Sequence, residues 1–342
     1  MRVSELGEFG LIRRIAGLLP PAPADVIVGI GDDVAVLDAG GGEYLLATCD
    51  VQVENVHFLR NSITPFQLGR KVAAINVSDI AAMGGTPSWA LVSLALPPEM
   101  EVSFVDGLYE GLREMMREAG GAVVGGNLSK AAAEIVIDLC LLGRVAPDHL
   151  ILRNGARPGD LILVTGLLGD SRAGLECILN PGLPVPAQSR AAVEARHLAP
   201  QPRLREGQAL GRSMRVRAMA DVSDGLVGDM GHICRASGAG AVIRAESLPV
   251  SAACGDVAAA LGRSALDLAL AGGEDYELLF TVAPESASQV RKMVEEETGT
   301  VCTVIGEVVP REAGLRVLLP GGGMVSVSEL SASWDHFAGS AR

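Results

Sequence analysis

The sequence predicts a mixed helix-and-strand fold in two domains, and three observations carry that expectation. A length of 342 residues suits about two domains. Apolar, β-branched runs bounded by Gly or Pro alternate with helix-length segments along the whole chain. Between them, HLILRNGARPGD (149–160) is polar and interrupted by Gly and Pro, which places a domain boundary there: 1–148 and 149–342.

In order along the chain, YLLAT (44–48) reads as a strand. The segment 64–85, TPFQLGRKVAAINVSDIAAMGG, reads as a helix. Thr64 is its N-cap, Pro65 takes the first helical position, Gln67 completes a capping box, and Gly84 and Gly85 end it. WALVSLAL (89–96) is a second strand, 102–121 a second helix closed by Gly120, and EIVIDLCLLGRV (134–145) a third strand. In the second half LILVTG (161–166), AMADVSDGL (218–226) and YELLFTV (276–282) each lead from a strand towards a helix.

Composition removes several classes of function. A net charge of −13 disfavours nucleic acid as a partner, because phosphate contacts need a basic face. No apolar run approaches the roughly 20 residues of a membrane span. The N-terminus carries acids and no long apolar stretch, so it does not read as a signal peptide, and the expected location is the cytoplasm. Six scattered cysteines contain no Cys-x-x-Cys pair and predict neither zinc nor a disulfide framework.

The acids embedded in Gly or apolar surroundings carry the chemistry. They fall into five clusters: Asp32-Asp33; Asp50 with Glu54 and His57; Asp79 with Asn76 and Ser78; Asp221 and Asp224; and Glu274, Asp275 and Glu277. One Asp beside a Gly is most simply a cap or a turn residue. Asp79 sits inside a helix, where it caps nothing, and five such clusters suit hard-cation binding better. Mg²⁺ takes oxygen ligands and is commonly shared with substrate phosphates. Phosphate also needs donors, and the Gly-rich turns GIGDD (29–33), VVGGN (123–127) and TGLLGDS (165–171) are candidates through their backbone N–H groups, although TGLLGDS reads first as a simple tight turn. Walker A and protein-kinase signatures are absent.

GIGDDVAVL, TCDVQVENVHF, LGRKVAAINVSDIAAMGG, RNGARPGD, VTGLLGDSRAGL, DVSDGL, GGEDYELLFTV and the terminal WDHF occur in this order. Together, from Glu8 to Phe337, they resemble the thiamine-monophosphate kinase family, with a wider likeness to aminoimidazole ribonucleotide synthetase, selenophosphate synthetase and HypE. The resemblance implies an α+β, two-domain synthetase-like fold. Its N-terminal α+β domain forms the sheet of a homodimer, and its C-terminal α/β domain completes the site. It implies phosphorylation of thiamine monophosphate to thiamine diphosphate by ATP, the co-substrate, with Mg²⁺ as cofactor.

Carried over by motif, Asp33, Thr48, Asp50, Asp79, Asn127, Asp221 and Asp224 match metal-ligand positions. Asp33, Tyr109, Gly126, Asn127, Arg153 and Ser223 match positions that contact the nucleotide, and His57, Glu274 and Trp334 match contacts to thiamine phosphate. A cationic thiazolium suits the Trp334 face, and ordinary packing explains that Trp equally well. Three departures stand out. Cys49 precedes Asp50 where the family has Thr. Asn127 replaces the metal-binding Asp of GGDT, keeping an oxygen and losing a charge. Lys130 stands where Arg is usual, either meeting a phosphate or solvated.

The implied chemistry is in-line transfer with no protein nucleophile, Asp33 and Asp224 serving as ligands rather than bases. Two other readings share these residues: a related ATP-dependent enzyme with another acceptor, and a non-catalytic binder. Asp32 stands as either a second ligand or a turn-former. For the acid pair at 32–33 the expected partner is a metal ion rather than a protein cation.

Overall fold

The computed structural model describes residues 2–326; Trp334 and the rest of the WDHF segment lie outside the described residues. The strands are β1 (Val26–Val28), β2 (Ala35–Leu37), β3 (Tyr44–Val53), β4 (Thr86–Leu96), β5 (Ala122–Lys130), β6 (Val136–Val145), β7 (Leu161–Thr165), β8 (Val216–Asp221), β9 (Gly240–Arg244), β10 (Leu278–Val282), β11 (Cys302–Val309), β12 (Leu315–Leu318) and β13 (Met324–Ser326). The helices are α1 (Val3–Ala16), α2 (Pro65–Ala82), α3 (Val102–Glu118), α4 (Asp170–Leu179), α5 (Ala187–Leu198), α6 (Leu204–Ser213), α7 (Leu226–Ser237), α8 (Ala252–Ala260), α9 (Ala265–Ala271) and α10 (Pro284–Thr298).

Two sheets result. The first runs β1-β2-β3-β6-β4-β5 and is antiparallel except for the β4–β5 pair. The second runs β13-β12-β9-β11-β7-β10-β8 and is antiparallel except for β12–β9.

The first sheet shows why its sequence folds this way. Along β6 the buried side chains Ile137, Leu139, Leu141 and Val145 alternate with more exposed residues, the period of a sheet with one covered face. That face packs on α2 and α3 through Leu46, Val92 and Leu139 on the sheet and Leu68, Val72, Leu108 and Leu112 on the helices. The two helices approach so closely that a Cβ at Gly69 would stand 2.0 Å from the Leu108 carbonyl oxygen, and one at Gly111 2.0 Å from that of Phe66. The α2 start is the expected capping box: the Thr64 hydroxyl accepts from the Gln67 N–H, and Gln67 Oε1 accepts from the Thr64 N–H.

Two expectations need correction. The strand at 44–48 continues to Val53, because its whole length is paired with β6, so Asp50 lies within a ladder rather than after a strand. VVGGN (123–127) is not a turn; it lies within β5, extended along β4 at the sheet edge. Gly126 is needed there because a Cβ would come 1.9 Å from the Val92 carbonyl oxygen. Gly126 thus serves close strand approach.

Candidate active site

The two sheets meet at the C-terminal half of α2. Ser78 on α2 donates to Asp221 Oδ2 (2.5 Å) at the end of β8, and Lys71, about two turns earlier, pairs with Glu274 (2.9 Å). Asp79 therefore faces the end of β8 although it belongs to a helix of the first sheet. Oxygen atoms of Asp33, Asp79 and Asp221 lie within 4.8 Å of one another. Three carboxylates from three distant segments, Asp33 after β1, Asp79 in α2 and Asp221 in β8, thus form one cluster. Asp50 on β3 adds its negative field to both Asp79 and Asp221, and the Thr48 hydroxyl donates to Asp79 (2.6 Å).

The electrostatics of this cluster are those of crowded, buried acids. Burial is the main cause that pushes the Asp221 carboxyl up to about 7, reinforced by Asp33 and Asp50. Asp79 is raised well above the usual carboxylate range, first by burial and then by Asp50, Asp221 and Asp33. Oδ2 of Asp33 and Oδ1 of Asp221 are buried without a hydrogen-bond partner. Orphaned carboxylate oxygens are costly in an interior. Buried hard oxygen donors gathered in one place are the ligand type that Mg²⁺ takes.

The acid pair at 32–33 departs from expectation. Its partner is a protein cation for one oxygen: the Arg153 guanidinium binds Asp33 Oδ1 through both Nε and Nη2. Asp32 accepts the backbone N–H of Asp33 (3.0 Å) and of Arg153 (3.1 Å), so it clasps the 28–33 turn to the chain that leads into the second sheet. Burial and the neighbouring Asp33 push Asp32 up to about 6. Asp32 is the turn-former of the pair; Asp33 faces the cluster.

A second acidic group adjoins the first. Ligand atoms of Asp224, Asp229 and His232 lie within 4.8 Å of one another. Asp229 is raised by burial first, then by Asp224 and Asp221, and its Oδ2 is a buried orphan. Arg235 donates to His232 Nδ1 (3.0 Å), which leaves Nε2 as the protonated nitrogen of the neutral ring. Burial, with Arg153 and Arg235, pushes His232 down to about 3. Sequence reasoning missed Asp229 and His232; their spacing after Asp224, on one face of a helix, was the available signal.

The GGEDYEL segment supplies the other wall. The N–H of Glu274 donates to Ser223 O and that of Tyr276 to Val222 O, while Val222 N–H donates to Glu277 O, so this segment is zipped to DVSDG. Glu274 and Tyr276 adopt φ of 64° and 50°. Such strain in non-Gly residues persists where surrounding structure enforces it, characteristically at functional sites. Glu274 pairs with Lys71, which is only 1% exposed, and lies 3.3 Å from His197 Nδ1. Burial works against its charge, but Lys71, His197 and His57 together hold its carboxyl below the usual range. The effect of His57 on Glu274 places the two on the same side of the site; His57 Nδ1 accepts the Val53 N–H (3.0 Å). Lys71, next to Arg70 in a largely apolar helix, was the missed signal here.

The remaining acids have structural duties. Asp275 accepts the N–H groups of Gly169 (2.7 Å) and Ser171 (3.2 Å), so the anion at the start of α4 is a protein carboxylate, and TGLLGDS is a tight turn rather than a phosphate cradle. Glu277 is gripped by Arg196, Arg203 and the Thr165 hydroxyl. Glu54 pairs with Arg60 and caps the Ile135 N–H.

Asn127 and Tyr109 stand apart from the cluster. Strand register aligns Gly126 with Val92, Val92 with Leu139 and Leu139 with Asp50. Three strand spacings, roughly 14 Å, therefore separate Asn127 from the β3 end of its row. Asn127 is exposed on the edge strand, and Tyr109 lies half-buried on α3, which borders β5.

Comparison with known proteins agrees with this architecture. Residues 31–145 match AIR synthase related protein, N-terminal domain, and residues 157–318 match AIR synthase related protein, C-terminal domain. Both halves of that two-part architecture are present, each carrying part of the acid cluster. Thiamine-monophosphate kinase from Aquifex aeolicus is 40% identical over 86% of this chain and 92% of its own length, and that from Salmonella typhimurium 36% identical over 97% and 98%. The solved structure of AaThiL complexed with AMPPCP and TMP superposes with a TM-score of 0.83 at 38% identity, over 98% of this chain and 99% of that one. HypE in complex with ATP, at 20% identity and a TM-score of 0.70 over 92% and 90%, shares the fold. The chain belongs to the thiamine-monophosphate kinases of the AIR synthase related family.

Proposed function

We propose that this protein transfers the γ-phosphoryl group of ATP to thiamine monophosphate, yielding thiamine diphosphate and ADP. One observation carries the reading: carboxylates from both sheets, two of them with orphaned buried oxygens, converge at one point in a chain of this family. Asp33, Asp79 and Asp221 are the residues that would hold Mg²⁺, with Asp50, Asp224 and Thr48 beside them. When bound, Mg²⁺ supplies the charge that lets a triphosphate enter an acidic cleft and neutralises charge on the transferring group.

The protein's own residues do the rest. Arg153, held by Asp33, offers a guanidinium at the phosphates, and Ser223 stands at the zipped loop beside them. Glu274, held in its charged form by Lys71, presents a carboxylate to the cationic thiazolium of thiamine monophosphate, with His57 on the same side. No protein nucleophile is called for; transfer is direct and in line, and the scaffold's contribution is position.

Asn127 and Tyr109 enter from a second copy. Their edge position is that of residues that complete a neighbour's site, and the open sheet face exposes Trp89, Leu91 and Val51. The assembly we infer is a homodimer joined through the first sheet, with each chain divided at 148/149. Among the described residues no helix is long and apolar enough to cross a membrane, and we place the protein in the cytoplasm.

An acceptor panel tests the reading. With ATP and Mg²⁺, thiamine monophosphate should yield one ADP per thiamine diphosphate, whereas thiamine and unrelated monophosphates should yield neither. Preferred turnover of another acceptor would establish the related-synthetase alternative, and tight binding without turnover the binder.

A further inference from the structure

A cavity of about 740 Å³ opens between α1 and α7, bordered by His232. Three guanidiniums line it: Arg13 from α1, Arg235 from α7 and Arg311 from the turn after β11. None of its lining residues is acidic, in a chain whose net charge is −13. The crowding has a cost: Arg235 is pushed below the usual range by burial first, and Arg153 and Arg13 add to that.

Two rings also line the cavity. The Phe9 ring lies 4.8 Å from that of His232, tilted by 58°, and the Arg235 guanidinium stands 5.9 Å from the Phe9 centroid. Gly231 leaves room for that guanidinium, since a Cβ there would sit 3.2 Å from it. His232 is neutral, so the cation density belongs to the arginines.

We propose that this cavity is a second ligand site, for a small phosphorylated anion held by Arg13, Arg235 and Arg311. It is distinct from the carboxylate cluster, which would repel the same anion unless a metal were bound. Guanidiniums grip phosphate through paired, charge-assisted hydrogen bonds, and three of them around one cavity supply more donors than a single phosphate group requires. A diphosphate therefore fits the donor set better than a monophosphate.

The test uses inorganic pyrophosphate as the probe, titrated calorimetrically into the full chain in EDTA, where the acidic cleft contributes no anion site. Arg13 and Arg311 can be changed without touching the proposed catalytic residues. The double variant Arg13→Glu/Arg311→Glu is compared with wild type and with Lys292→Glu, which alters net charge at an exposed position on α10. Wild type and Lys292→Glu should bind one equivalent per chain, and the double variant should bind at least ~10-fold more weakly, having lost two charge-assisted contacts. No pyrophosphate binding by wild type overturns the proposal. So does a double variant within about threefold of Lys292→Glu, because a difference that small is what exposed charges alone produce.

Discussion

Replacing Asp221 with Asn should stabilise the protein in EDTA while abolishing turnover. In the folded chain burial, Asp33 and Asp50 raise the Asp221 carboxyl from 3.8 to about 7. Below pH ~4 it is protonated in both folded and unfolded chains and contributes no difference. Between pH 4 and 7 the folded chain holds a proton that the unfolded chain has released, so stability falls as pH rises, and above pH 7 the full penalty applies. Moving the carboxyl from 3.8 to about 7 corresponds to several kcal/mol at pH 8, accumulating steadily as pH rises between the two. Asn removes the charge and retains an acceptor for the Ser78 hydroxyl.

Thermal melts of wild type and Asp221→Asn in EDTA at pH 5, 6, 7 and 8 measure this. The variant's advantage should grow by about 3 kcal/mol from pH 5 to 8, which is several degrees of Tm for a chain of this size. Saturating Mg²⁺ should stabilise wild type and erase the advantage. A variant that melts below wild type at pH 8, or an advantage independent of pH, would refute the account of Asp221 as a charge held in readiness for a cation.

Other consequences follow from the same geometry. Asn127→Asp adds a charge at the edge strand, and if that strand completes a neighbour's site the Mg²⁺ concentration for half-maximal activity should fall about three- to tenfold with no change in Tm. Lys71→Met leaves Glu274 without its ammonium partner and should cost about 2–4 kcal/mol in denaturant melts while raising the KM for thiamine monophosphate; adding Glu274→Gln should return much of the stability but not the KM. Gly126→Ala drives a Cβ into the Val92 carbonyl and should cost several kcal/mol, or about 1–3 if β5 shifts outward, read as a lowered Tm.

The sequence made the elements legible where local chemistry decides them. The Thr64–Gln67 capping box, the glycines after α2 and α3, and the β6 run each needed only near neighbours. What convergence would do to those elements was not legible locally. Asp33, Asp79 and Asp221 are up to 188 positions apart, and their meeting depends on α2 carrying Ser78 to the end of β8. The Arg153–Asp33 pair was hidden for the same reason: the partner lies 120 residues on, and a motif shows each residue but not the contact. VVGGN misled because Gly pairs mark both turns and tight strand approach, and only the partner strand tells them apart. Lys71 was visible as one of three lysines, yet its burial follows from helix packing that no local pattern reveals.

Acids from both sheets are proposed to hold the cation under which ATP phosphorylates thiamine monophosphate. Phosphorus NMR of purified protein with ATP and thiamine monophosphate, across a Mg²⁺ titration, tests it most directly. Wild type should accumulate the paired resonances of thiamine diphosphate in step with ADP, only when Mg²⁺ is present, and Asp79→Asn and Asp221→Asn should accumulate neither. Thiamine diphosphate formed without a divalent cation, or formed at the wild-type rate by both variants, would contradict it.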